Sequence, residues 1–236
     1  MMEQDKPSKG LLIVFEGISG SGKSEGINGL VRDMRSSGEQ VILYEWNARP
    51  AIRKWTRRLA QTRLLGPQAY SLLQWLGFVL DYWRIIRPAL QRGFVVIADR
   101  YYFTGLTRDE VNGASKRLGN WISKRVRQPD LLYYVDTPVS VCYERILARG
   151  KKLFHPNKKL RRRADVQNHD MYYLELMDKA YRRILQIHDS DHARPSSYRK
   201  GYPYGMVSTI GGPAHENVLS GRDVWGCSES AESLAD

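Results

Sequence analysis

Residues 17–24 read GISGSGKS, a G-x-x-x-x-G-K-S pattern. Glycines let consecutive backbone N–H groups turn inward around phosphate oxygens, and a helix opening at the lysine adds its positive end. Lys23 can then reach β- and γ-phosphates, and the Ser24 hydroxyl can ligate Mg²⁺. With average residue usage, a chain of this length carries such a match by accident about 1% of the time. A second cluster, "ADRYY", sets Asp99 beside Arg100 at the end of an apolar run. The carboxylate suits either a magnesium shell or a helix N-cap. The guanidinium suits a phosphate or a neighbouring carboxylate. Glu45 closes another apolar run and also has two readings, a general base toward a hydroxyl or the partner of a nearby arginine.

These residues need a frame that brings them to one edge. Residues 11–15, "LLIVF", form an all-apolar run of the kind found in a buried parallel strand. Ile27, Leu30, Val31 and Met34 then follow a helical period that stops near Gly38. Residues 41–44, 94–99 and 130–136 read as three further strands. Residues 51–92 are helical in pattern, with a break around Gly66 and Pro67 and a terminator at Gly93. Val139, Cys142, Tyr143 and Ile146 repeat the helical stripe, and a long helix carries Leu174, Met177, Tyr181, Ile184 and Leu185. Strands alternating with helices predict an α/β fold of three layers, a parallel sheet covered on both faces. Asp99 then falls at the carboxyl edge, where such sheets bind ligands. Residues 1–219 are expected to make a single domain, with a mobile basic loop at about 150–164. "MVSTI" at 206–210 reads as a last strand, and residues 220–236 as a disordered tail.

The formal net charge of +12 is concentrated in runs, "RKWTRR" at 53–58, "SKRVR" at 123–127 and "KKLRRR" at 158–163. Such runs attract polyanions, which admits nucleic acid and phosphorylated small molecules alike. Any one of them also fits a solvated face. No aromatic–glycine RNA-binding signature accompanies them. The longest apolar runs are far too short to span a bilayer, and "MMEQDKPSKG" lacks the apolar centre of a secretory signal. Cys142 and Cys227 match no metal or disulfide spacing. A cytoplasmic protein without a membrane partner is expected.

"FEGISGSGKS", "IIRPALQRGFVVIADRYYFTG", "PDLLYYVDTPVSVCYERILARG" and "DKAYRRIL" occur in an order and spacing that resemble the thymidylate kinase family, P-loop nucleoside monophosphate kinases, over about residues 11–185. The resemblance implies a P-loop kinase fold, transfer of the γ-phosphate of ATP, Mg²⁺ as cofactor, and a nucleoside monophosphate as acceptor, dTMP first. It further implies a homodimer with the helix bearing Phe78 near the interface. Gly17, Ile18, Ser19, Gly20, Ser21, Gly22, Lys23 and Ser24 would wrap the ATP phosphates, with Ser24 and Asp99 at the metal. Arg100 would grip the acceptor's phosphate, with Tyr101 beside it, and Phe78 matches a ring on which the acceptor base stacks. Arg145 and Arg149 match positions flanking the lid, Arg149 toward the adenine. In one branch of the family lid arginines close over the phosphates, where cations meet charge spread in the transition state, and Arg161, Arg162 and Arg163 are candidates for that part.

Three positions depart from the family pattern, all on the acceptor side. Ser19 stands where an acidic residue is usual, and "YEWNARP" replaces an Arg-Glu-Pro segment, leaving only Glu45. Tyr82 follows Asp81 where an arginine would contact the base. A tyrosine can hydrogen-bond a base edge but cannot reproduce a charged bidentate donor. These departures keep open a kinase of a nucleoside or another small hydroxyl compound, with Glu45 as base. A nucleic-acid-binding P-loop protein is a third reading.

Overall fold

The computed structural model describes residues 10–48, 50, 54, 56, 58, 66–150, 153 and 166–186. Arg161 and Arg162, the strand expected at 206–210 and the tail lie outside the described residues.

Four strands, β1 (Leu12–Glu16), β2 (Val41–Glu45), β3 (Val95–Asp99) and β4 (Leu131–Tyr134), form a parallel sheet in the order β2-β3-β1-β4. In its register Phe15 lies opposite Asp99, and Asp99 opposite Glu45. Glu16, Glu45 and Asp99 therefore end three adjacent strands at one carboxyl edge.

The sheet is covered on both faces because its central strand alternates between two cores. Leu12 and Val14 join one buried cluster, and Ile13 and Phe15 join the other. Helix α1 (Lys23–Ser36) seals the second cluster with Ile27, Leu30 and Val31. The first takes side chains from α2 (Pro67–Asp81), α3 (Arg87–Gln91), α4 (Tyr102–Asn112), α5 (Arg117–Ser123), α6 (Val139–Ala148) and α7 (His169–Leu185). This is the α/β architecture expected from the alternating pattern.

Helix α2 opens with Gly66 as N-cap and Pro67 at its first position, where the missing N–H costs nothing. It runs on through a π turn, Tyr82–Ile86, into α3. Pro88 accounts for the turn: its ring cannot donate to the carbonyl of Arg84 and would strike it in a regular helix. The wider turn removes that clash, and the Arg87 N–H bonds to the Tyr82 carbonyl five residues back.

One tryptophan ties three helices together. A Cβ at Gly105 would come within 2.6 Å of the Trp75 ring, and one at Gly119 within 2.5 Å, so α4 and α5 approach it only because both residues are glycine. Trp75 Nε1 donates to Asp109 Oδ2 at 2.7 Å, and burial raises the pKa of that carboxyl.

Candidate phosphate and acceptor site

The loop between β1 and α1 is shaped by its glycines. Gly17, Gly20 and Gly22 have φ of 144°, 87° and 94°, values that L side chains rarely adopt. At Gly20 a Cβ would also meet the Cys142 carbonyl oxygen at 2.3 Å. Two carbonyls of the loop are held from outside: Thr137 Oγ1 donates to Ser21 O at 2.9 Å and Arg145 to Gly20 O at 3.3 Å. Peptide planarity then turns the N–H of Gly22 the other way, into the loop, while the Ser21 N–H donates to Ile18 O at 3.4 Å. The loop thus has the form of an anion cradle opening onto a helix N-terminus.

Lys23 reaches back across it. Its Nζ donates to Ile18 O at 2.9 Å, Gly17 O at 3.1 Å and Ser21 Oγ at 3.1 Å. Burial, first, and the charge of Arg100, second, lower its pKa to about 7. Lys23, Asp99 and Arg100 are thus within electrostatic reach of one another.

Arg100 sits in a backbone conformation with φ 74°, uncommon for a residue with a side chain and costing about 1–2 kcal/mol. Its N–H donates to Phe15 O at 2.9 Å. Its guanidinium donates to the Tyr181 hydroxyl at 2.8 Å and, more loosely, to Thr104 Oγ1 at 3.4 Å. Tyr181 in turn donates to Glu16 Oε2 at 3.0 Å, and Glu16 accepts from the Tyr101 N–H at 2.7 Å and the Thr104 hydroxyl at 2.7 Å. Burial pushes the Glu16 pKa up, and it pushes the Tyr181 phenol well up with help from the Glu16 charge. This polar knot joins β1, the start of α4 and α7 behind a single guanidinium.

The residues expected to hold an acceptor base are placed differently. Phe78 is fully buried, stacked on Trp46 at 4.9 Å and edge-on to Trp75 and Tyr101. In this structure its ring packs in the core, with Trp46 stacked against it. Tyr82 and Tyr101 are buried as well. The Tyr82 hydroxyl accepts from the Arg127 N–H at 3.0 Å and the Tyr101 hydroxyl donates to the Arg127 carbonyl at 3.1 Å, so both phenols are bonded to the backbone of one partly buried residue. Glu45 is exposed at the end of β2, Arg145 is tied to the loop, and Arg149 is exposed just past α6.

A second polar group centres on Gln74. Gln74 Oε1 accepts from Asn47 Nδ2 at 2.8 Å, Arg108 at 2.9 Å and Trp46 Nε1 at 3.2 Å. Trp46 and Asn47 belong to "YEWNARP", legible as a departure but not as a replacement. Arg108 lies one helical turn after Thr104, the only signal that the two share a face.

For a metal, the donors present are few but fitting. Among the described residues no three His, Cys, Asp or Glu side chains converge. Asp99 Oδ1, however, is buried with no hydrogen-bond partner, and Ser24 is exposed in the first turn of α1. One bare carboxylate oxygen and one hydroxyl fit a hard cation such as Mg²⁺ that keeps its waters and arrives with phosphates. No helix among the described residues is long and apolar enough to cross a membrane.

Comparison with known proteins follows the same lines. The family model described as thymidylate kinase matches residues 15–193. A probable thymidylate kinase 2 of Saccharolobus solfataricus is 35% identical over 149 residues, 61% of this chain and 68% of the relative. A thymidylate kinase of Akkermansia muciniphila is 32% identical over 150 residues, 61% and 70% of the two chains. One of Halothermothrix orenii is 30% identical over 207 residues and extends over 82% of this chain and 95% of its own. With the family model spanning about three quarters of its length, the chain belongs to the thymidylate kinase family and is a phosphotransferase.

Proposed function

We propose that the chain is an ATP-dependent thymidylate kinase that converts dTMP to dTDP. The observation that carries this reading is the meeting of Lys23, Asp99 and the strained Arg100 at the carboxyl edge of the sheet, beside the glycine loop. The names of the relatives, thymidylate kinases throughout, support dTMP as acceptor. The loop's N–H groups would bind the donor phosphates, and Lys23 would exchange its carbonyl contacts for phosphate oxygens. Arg100, braced by Tyr181, would hold the acceptor's phosphate in line with the group transferred. Ser24 and Asp99 would hold Mg²⁺, which when bound neutralises phosphate charge. Arg161 and Arg162 would close from the lid and Arg149 would lie toward the adenine. Such catalysis is mostly positioning and charge complementarity.

The test is ADP release from Mg·ATP across dTMP, other nucleoside monophosphates and free nucleosides. Turnover with dTMP should fall at about 1–100 s⁻¹, the usual kinase range. The comparisons do not favour a hydroxyl acceptor with Glu45 as base. Accordingly, Glu45→Gln should change kcat/KM for dTMP by no more than about twofold, since a phosphate acceptor has no proton for that carboxylate to take. Turnover confined to an unphosphorylated nucleoside, and abolished in Glu45→Gln, would replace this reading with the other.

We also propose a homodimer built on α2. Leu72, Leu76 and Trp83 are 59%, 50% and 53% exposed along the stretch that carries Phe78, a stripe of the kind that marks an interface. The Leu72→Glu, Leu76→Glu double variant should run at half the mass of the parent in sedimentation equilibrium, with its α-helical signal retained. A parent that is monomeric at micromolar concentration would overturn the dimer.

A further inference from the structure

The base-reading arginine of the family has no counterpart at Tyr82, whose hydroxyl is occupied by the Arg127 N–H. A different guanidinium stands one helical turn after Thr104, the residue that bonds Arg100. Arg108, on α4, is half-buried and uses only one of its terminal nitrogens, which donates to Gln74 Oε1 at 2.9 Å and weakly to the Tyr70 hydroxyl at 3.4 Å. Among the described residues no carboxylate pairs with it. Its other donors, Nε–H and the second terminal nitrogen, bond to none of the described side chains. Gln74 Oε1 itself is crowded, since three donors converge on an oxygen with two lone pairs. The donors left over on this partly buried cation are available to a ligand.

Its place fits one end of a nucleotide. Arg100 is bonded to Tyr181, and the charge of Arg108 acts on both Tyr181 and Tyr173. Those tyrosines are eight residues apart on α7, about 12 Å of helix rise. Both charges act on Tyr173 as well as Tyr181, and Arg100 bonds Thr104, one turn before Arg108 on α4, so the two guanidinium groups lie near one helix face with Arg100 at the end nearest Lys23.

We propose that Arg108 reads the acceptor's base, donating from its uncommitted nitrogens to a ring carbonyl and so selecting keto bases over amino bases. This rests on the monophosphate kinase reading above. Thymine offers O4 as an acceptor where cytosine offers an N4–H₂ donor. A guanidinium facing O4 completes its hydrogen bonds, whereas one facing N4–H₂ sets donor against donor. Gln74 and the Trp46 and Asn47 side chains hold the guanidinium in place from α2 and the loop after β2.

The experiment is steady-state kinetics at saturating Mg·ATP with dTMP, dCMP, dUMP, dGMP and dAMP, for the parent, Arg108→Met and Arg108→Lys. In Arg108→Met the KM for dTMP should rise roughly tenfold or more, the size of effect a good side chain–base pair brings. Its kcat should stay within about threefold, and the dTMP-to-dCMP ratio of kcat/KM should fall by the same factor as KM rises. Arg108→Lys should recover part of that ratio, because it restores a donor without the fork. A ratio unchanged within about twofold in Arg108→Met would overturn the assignment. So would an equal loss for all five substrates through kcat, which is what collapse of the Gln74 contacts alone would cause. A parent that prefers dCMP would overturn the role of Arg108 while leaving the kinase intact. A parent silent toward every monophosphate would overturn both.

Discussion

Lys23→Met is expected to fold and to lose roughly 10²–10³-fold in kcat, the loss that follows removal of one preorganised charge-stabilising donor. Activity and stability separate here because the lysine is a poor contributor to stability. It is 6% exposed, and burial together with the Arg100 charge has already lowered its pKa to about 7. Methionine keeps the length of the side chain and removes the ionisable group. What the fold loses is three hydrogen bonds, to Gly17 O, Ile18 O and Ser21 Oγ, about 1 kcal/mol each, and against that it is relieved of a buried charge. Single-turnover rates beside a thermal melt test both halves; unchanged turnover would sink the kinase reading. A pH effect of definite sign accompanies it. Above pH 7 the free Lys23 is largely neutral, and bound phosphates would raise its pKa, so Mg·ATP binding takes up close to one proton at pH 8 and little at pH 6. Affinity therefore weakens as pH rises through 7. Calorimetry in buffers of different ionisation enthalpy reads the uptake, which should vanish in Lys23→Met.

Arg100→Gly should be nearly inactive toward monophosphates while changing stability little. The guanidinium offers a planar fork to a phosphate, and charge-assisted hydrogen bonds of this kind contribute about 1.5–3 kcal/mol each. Losing two corresponds to a drop in kcat/KM on the order of 10²–10⁴-fold. On the stability side, glycine adopts φ 74° without the left-handed penalty, a relief of about 1–2 kcal/mol. That gain is set against the hydrogen bond to Tyr181, about 1 kcal/mol, the looser one to Thr104, and the loss of the positive charge beside buried Glu16. Tyr181 keeps its bond to Glu16, so no phenol is left unpaired. The melting temperature should stay within a few degrees of the parent. A large fall would mean that Arg100 is a structural strut, and undiminished turnover with dTMP would remove it from the acceptor site.

What the sequence made legible was local. The glycine and lysine spacing of the loop, the apolar strands and the carboxylates at their ends are short-range patterns, and the sheet register carries them to one edge. The aromatic positions were not legible in this way. Phe78 and Tyr82 match an acceptor motif by spelling, yet whether a ring faces a cleft or a core depends on what packs against it, here Trp46 and the Arg127 peptide. The π turn adds to the difficulty, since one extra residue shifts the phase of everything upstream by about 100° relative to Pro88. Trp46 and Asn47 lie in a segment whose difference from the family was plain, but their meeting with Gln74 spans 27 and 28 residues of chain. Glu16 carried a usable signal, because a carboxylate directly after "LIVF" must find donors in the interior.

The packing of Trp75 against Gly105 and Gly119 bears on how this chain can change over generations. Any side chain at either glycine would fall within 2.6 Å of the indole, while shrinking the indole first would open a cavity among α2, α4 and α5. Each single step is therefore blocked by the other two positions, and the three are expected to be replaced together or not at all. Lineages that abandon the tryptophan should be recognisable by larger residues at both glycine positions, and chimeras that mix the two arrangements should fail to fold.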